Sequence, residues 1–109
     1  MGRLGHMLDH AREATALVKD KTRLDLDEAR VLSLALVRLL EVVGEAATRV
    51  PENERSRYPS IPWPQIISLR NRLIHGYDSV DMDILWEILT DDLPPLIAEL
   101  ERIVGPEKA

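Results

Sequence analysis

There is no cysteine among the 109 residues. That removes disulfide staples, thiolate nucleophiles and cysteine-ligated zinc sites, and it fits a reducing cytoplasm. No apolar run approaches the roughly 20 residues needed to span a bilayer. The N-terminal stretch MGRLGHMLDHAREA carries acids early and lacks the apolar block of a secretory leader. The expectation is a soluble, cytoplasmic protein with no membrane attachment. No glycine-rich phosphate loop occurs, so the chain does not look like a nucleotidyltransferase itself. Strand-like alternation, internal repeats and low-complexity tracts are also lacking. Positive charge is in deficit too: a net charge of −5 argues against nonspecific duplex binding over the whole surface.

What is present is a chain with 45% hydrophobic and 30% charged residues, a composition that folds. Its length predicts a single domain over residues 1–109, with a core modest enough that an oligomer would help it. The charge is unevenly placed. Residues 1–47 net −1, residues 48–77 carry five arginines against two glutamates, and residues 78–109 net −7. An anionic substrate could use the positive middle; chance clustering of solvated charges is the alternative.

Apolar residues recur at helical spacing almost throughout. Leu4, Met7, Leu8, Ala11, Thr15 and Val18 form one stripe, predicting a helix over about 3 to 19. A second helix is expected from Asp25 or Asp27, with Asp25 and Glu28 as a capping box, and is stopped by Pro51. Its face of Leu32, Ala35, Leu36, Leu39, Val43, Ala46 and Val50 is widened by Leu34, Leu40 and Val42, an arc buried on more than one side. The small residues of GEAA (Gly44, Ala46, Ala47) permit close approach of another helix; helix propensity with one tolerated glycine is the plainer alternative. After a connector, Ser60 and Pro62 predict the start of a third helix that Gly76 ends. A last helix begins near Asp81, with Pro94 and Pro95 kinking or restarting it and Asp91 or Asp92 capping the second part. The fold class expected is all-α, an antiparallel bundle of four long helices with a short connecting turn.

The segment RNRLIHGYDSVD, residues 70–81, concentrates polar chemistry. On a helix, Asn71 and His75 are i, i+4 neighbours and Arg72 and His75 an i, i+3 pair. Arg70 and His75 lie about 140° apart, flanking a ridge. Arginine stays charged and can hold a phosphate with two donors, whereas histidine gives or takes a proton near neutral pH. Such a pair without metal ligands suits phosphodiester cleavage by a neighbouring 2′-hydroxyl, which requires RNA. A solvated or C-capping histidine at a helix end is the alternative.

Arg70-Asn71-Arg72-Leu73-Ile74-His75-Gly76-Tyr77 resembles the Arg-x4-His-x-Tyr signature of the HEPN superfamily, in particular its HepT-like toxins. LLEVVGEAATRVP, followed by RYPSIPWPQIISLRNRLIHGYDSVDMDILWEILTDDLPPL, is similar to those small proteins in order and spacing over nearly the whole chain. The resemblance implies a HEPN-like fold and a metal-independent endoribonuclease that needs no cofactor. It implies a toxin silenced by a nucleotidyltransferase antitoxin of the MntA type, and a homodimer in which motifs from both subunits line one cleft. Carried over by position, Arg70 and His75 match the catalytic pair, Asn71 the orienting polar residue, and Tyr77 the tyrosine that receives AMP. AMP there adds phosphate charge and bulk beside a cleft built for RNA phosphate. Arg72 lies within the motif without defining it and could contact phosphate. A catalytically silent HEPN module that binds a nucleotide or scaffolds a partner nucleotidyltransferase is the alternative. A third reading makes the transferase the damaging member and this chain its regulator.

Four other features are set aside. His6 and His10 are an i, i+4 pair without an evident third metal ligand. Asp78, Asp81 and Asp83 fit helix capping better than a cation site. Trp63 and Trp86 fit packing better than base stacking, and so does Tyr58.

Overall fold

The computed structural model describes residues 2–74 and 79–105. Among them the architecture is all-α without a strand, apart from an isolated antiparallel bridge between Ile74 and Val80. Helices α1 (Arg3–Leu17), α2 (Arg23–Glu28) and α3 (Arg30–Thr48) lead through the short α4 (Glu52–Arg55) to α5 (Trp63–Ile67) and α6 (Leu69–Leu73). Helix α7 (Met82–Glu87) continues through a π-helical turn (Ile88–Asp92) into α8 (Leu93–Val104). No helix here is long and apolar enough to cross a membrane.

The apolar stripe of α1 is the expected one from Leu4 through Met7 and Leu8 to Ala11, but it closes on the buried Ala14, while the expected Thr15 and Val18 are only half-buried. The helix ends at Leu17, and Asp20 turns the chain with a φ of 64°. The single helix expected next is two, because Ala29 leaves helical geometry at φ −109° and ψ 84°. The capping box is also displaced by a turn. Thr22 is the N-cap and Asp25 its N3 acid, accepting from the Thr22 amide at 2.6 Å, so the expected pairing of Asp25 with Glu28 is not the one formed. Across the break the buried Ser33 hydroxyl donates to the Leu26 carbonyl at 2.5 Å, joining α2 to α3 through a satisfied polar contact.

Helix α3 is the element the others pack on. Leu36, Leu40, Val43, Gly44 and Ala47 are buried along it, α1 lies against it, and α5 and α6 cover another side. Gly44 marks the tightest approach. A Cβ there would stand 3.0 Å from the Ile66 carbonyl oxygen and 3.8 Å from the Leu69 Cβ. The small-residue run therefore does serve close packing. The wide apolar arc stays open at Leu34, 55% exposed, and Val31, outside that arc, is 82% exposed.

The third long helix expected over residues 62 to 75 is broken at Ser68 into α5 and α6. Ser60 is not its N-cap; its hydroxyl donates to Glu99 at 2.5 Å, and the helix starts at Trp63 with Pro64 in the first turn. The buried Trp63 indole N–H reaches the carbonyls of Arg55 (3.2 Å) and Tyr58 (3.1 Å), which fixes the connector. Tyr58 and Trp86 pack half-buried against the core. The glycine stop expected at Gly76 lies outside the described residues.

Asp81 starts the last helical run as expected, its carboxylate accepting from the amides of Asp83 and Ile84 at 3.0 Å. The prolines do not interrupt that run. Pro94 and Pro95 lack N–H groups, and the preceding turn widens to π geometry and carries the helix past them. Asp92 makes no capping bond there, because its carboxylate is turned to Arg72. The fully buried Met7, Leu8, Leu36, Leu40, Leu73 and Leu85 belong to one core cluster joining α1, α3, α6 and α7.

Candidate active site

Helix α6 is LRNRL, and its local logic is simple. Leu69 and Leu73, an i, i+4 pair, bury themselves in the core, which turns Arg70 and Asn71 outward and leaves Arg72 on the flank. Arg70 is 65% exposed, and its Nε donates to Glu41 of α3 at 3.1 Å. An exposed ion pair of this kind contributes only about 0–1 kcal/mol, so its effect is orientation. The pair uses Nε, and the Nη groups are left to form a fork for a second anion. Arg70 lies in a groove of about 270 Å³ with Arg38, Glu41, Gly44, Thr48 and Ile67.

Arg72 serves the opposite side of α6. Its Nη2 donates to Asp92 at 3.0 Å, and it lines a separate cavity of about 410 Å³ with Ser60, Gln65, Asp91 and Glu99. Hydrogen bonds from Arg102 and then Ser60 hold the Glu99 carboxyl below the usual carboxylate range. Arg72 therefore does not share the Arg70 groove, and phosphate would have to compete with Asp92 for it.

Of the expected site residues, Arg70, Asn71 and Arg72 are described; His75 and Tyr77, with Gly76 and Asp78, lie outside the described residues. The described chain before and after them is joined by backbone hydrogen bonding. The Asp81 amide donates to the Leu73 carbonyl at 2.9 Å, and Ile74 pairs with Val80. Another cavity, about 550 Å³, is lined by Ile74, Ser79, Val80 and Met82 and, across from them, by Arg30, Leu34 and Val37 of α3. From Ile67 to Ile74 the motif segment thus follows α3 in reverse, from Gly44 and Thr48 to Glu41 and on to Val37 and Leu34.

Several described residues among those set aside earlier have structural employment. Asp81 caps α7, and Asp83 accepts from Arg23 at 2.8 Å. His10 donates from Nδ1 to the His6 carbonyl at 2.7 Å. Among the described residues, no three or more His, Asp or Glu side chains gather where they could hold a metal. Two partners were missing from the sequence reading, Glu41 for Arg70 and Asp92 for Arg72. Glu41 gave one signal, as a carboxylate interrupting the apolar run LALVRLLEVV.

The chain matches the family described as Ribonuclease HepT-like over residues 7–103. It is 32% identical over 100 residues to the probable ribonuclease HepT of Thermococcus cleftensis, covering 88% of this chain and 91% of that one. A candidate RNase of Methanocaldococcus jannaschii is 32% identical over 97 residues, 89% of each chain. One from Caldanaerobacter subterraneus is 33% identical over 105 residues, 96% of this chain and 94% of its own. No solved structure matches.

Proposed function

The chain belongs to the HepT-like ribonuclease family of the HEPN superfamily, and on that premise we propose that it is a metal-independent endoribonuclease whose site is built on Arg70 and His75. The observation that carries the reading is the placement of Arg70. It is exposed on a groove, steadied at Nε by Glu41, inside a family match that spans the whole motif. His75 takes the proton of a ribose 2′-hydroxyl, and the 2′-oxygen attacks the adjacent phosphorus. The bond from phosphorus to the 5′-oxygen breaks, and that oxygen leaves with the proton that His75 gives back, yielding a 2′,3′-cyclic phosphate and a 5′-hydroxyl. Arg70 balances the charge that builds on the pentacoordinate phosphorus. Asn71, exposed one residue on, orients the site.

The functional unit is a homodimer, with α5 and α6 together as the third member of a HEPN-like four-helix arrangement. The support is the open apolar surface at Val31 and Leu34 on the half of α3 that faces Ile74, with Leu24 59% exposed nearby in sequence. A twofold axis there brings two motifs, and two proton carriers, to one cleft. An MntA-type nucleotidyltransferase antitoxin silences this toxin by transferring AMP to Tyr77. The scaffold reading draws on one observation, that Arg70 and Arg72 already have carboxylate partners. Separate expression of the chain and its transferase decides between them: growth arrest by this chain alone supports the toxin, arrest by the transferase alone the regulator. His75→Ala and Arg70→Ala should each lower RNA cleavage by about 10²-fold or more, and full activity in either rejects the assignment.

A further inference from the structure

The Arg70 groove does not end at Arg70. It shares Arg38 and Glu45 with a neighbouring groove of about 210 Å³ between α1 and α3, lined also by His6, His10 and Arg49. Three arginines and two imidazoles thus follow one continuous face, against the carboxylates Glu41 and Glu45. Those two carboxylates are each committed to one arginine, Glu41 to Arg70 at 3.1 Å and Glu45 to Arg49 at 3.3 Å. Arg38, which lines both grooves, forms no ion pair among the described residues and is exposed. In a chain of net charge −5 with a strongly acidic last third, this face sets three arginines against two carboxylates, a local positive balance that a polyanion can use.

We propose that the strip of Arg38, Arg49, His6 and His10 is an extended binding site for single-stranded RNA, leading the strand into the Arg70 groove. The inference rests on the ribonuclease reading and deepens it. Arg38 is the central phosphate contact, since unlike Arg49 it has no carboxylate partner to displace. Arg49 is the outer one, and the exposed Arg49–Glu45 pair is weak enough to open for a phosphate. From Arg38 to Arg49 the helix advances roughly 16 Å at 1.5 Å per residue, room for more than one phosphate.

The test is fluorescence anisotropy with a single-stranded RNA methylated at every 2′-oxygen, which cannot be cut by 2′-attack. Arg38→Glu should weaken binding on the order of tenfold and lower the salt slope by about 0.7, the value for one lost phosphate contact. Arg49→Glu should weaken it less. Arg57→Glu, an equal charge change on the connector beside Tyr58, is the control and should bind as wild type. Circular dichroism confirms that each variant is folded. Wild-type binding by Arg38→Glu, equal weakening by Arg57→Glu, or no binding by the unaltered chain overturns the strip. If the unaltered chain cuts unmodified RNA while Arg38→Glu binds normally, the strip alone falls. If it binds through Arg38 but cuts no RNA, the strip stands and the ribonuclease reading falls.

Discussion

Substituting Gly44 tests whether the α3 contact with α5 and α6 is as close as described. In an open helix, Gly44→Ala would gain about 1 kcal/mol of helix propensity. Here the new methyl meets the Ile66 carbonyl oxygen at 3.0 Å, a backbone atom that cannot rotate away. Overpacking of this kind costs about 1–3 kcal/mol, so the net expected change is a loss of about 1 kcal/mol. For a domain of this length that lowers Tm by about 4 °C. Gly44→Val drives two further methyls into the same gap and should lose about 3 kcal/mol or more. Urea unfolding followed by far-UV circular dichroism measures both. The same displacement moves Arg70 on α6 relative to Glu41 on α3, so RNA cleavage by Gly44→Ala should fall several-fold while the protein is still folded, since small misplacements are costly in catalysis. A Gly44→Ala protein about 1 kcal/mol more stable than its parent would show that α5 does not lie against α3 at this position.

Ser33→Ala should destabilise by about 1–3 kcal/mol, because the Leu26 carbonyl loses its buried donor at the α2–α3 break; chemical denaturation within a few tenths of wild type would refute that role. Glu99 is held below the usual carboxylate range, so its contribution is present at neutral pH and fades as pH falls through its lowered folded-state value. Glu99→Gln should therefore flatten the acid limb of the stability profile, and unchanged acid sensitivity in thermal melts would count against the contact with Arg102 and Ser60. Tyr77→Phe should leave RNA cleavage intact and abolish AMP transfer by the antitoxin. Mass spectrometry finding AMP on another residue would refute the assignment.

Much of the fold was readable in the sequence wherever a local signal and the tertiary contact agree. The α1 stripe, the Asp81 cap and the small-residue approach at Gly44 are of that kind. The breaks at Ala29 and Ser68 were not readable, since neither residue is a glycine or proline. The Ala29 break is tied by Ser33 to a carbonyl seven residues away. Ser60 and Asp92 looked like caps because capping is judged from near neighbours, yet each pairs with a residue far along the chain, Glu99 and Arg72. Pro94 and Pro95 announced a disturbance, and the π turn is a solution that their neighbours do not encode locally. In the candidate site, Arg70 and Asn71 follow directly from burial of Leu69 and Leu73. Glu41 is 29 residues from Arg70, so only the fold could join them, and the same holds for the alignment of Arg38 with Arg70.

The central claim is cleavage by 2′-attack without a metal ion. The purified chain, exhaustively treated with a chelator, should be incubated with single-stranded RNA and with its all-deoxy counterpart, and the product ends read by mass spectrometry. The account predicts undiminished cutting of the RNA alone, with 2′,3′-cyclic phosphate and 5′-hydroxyl ends. Loss of activity in chelator, cutting of the DNA, or 5′-phosphate ends would contradict it.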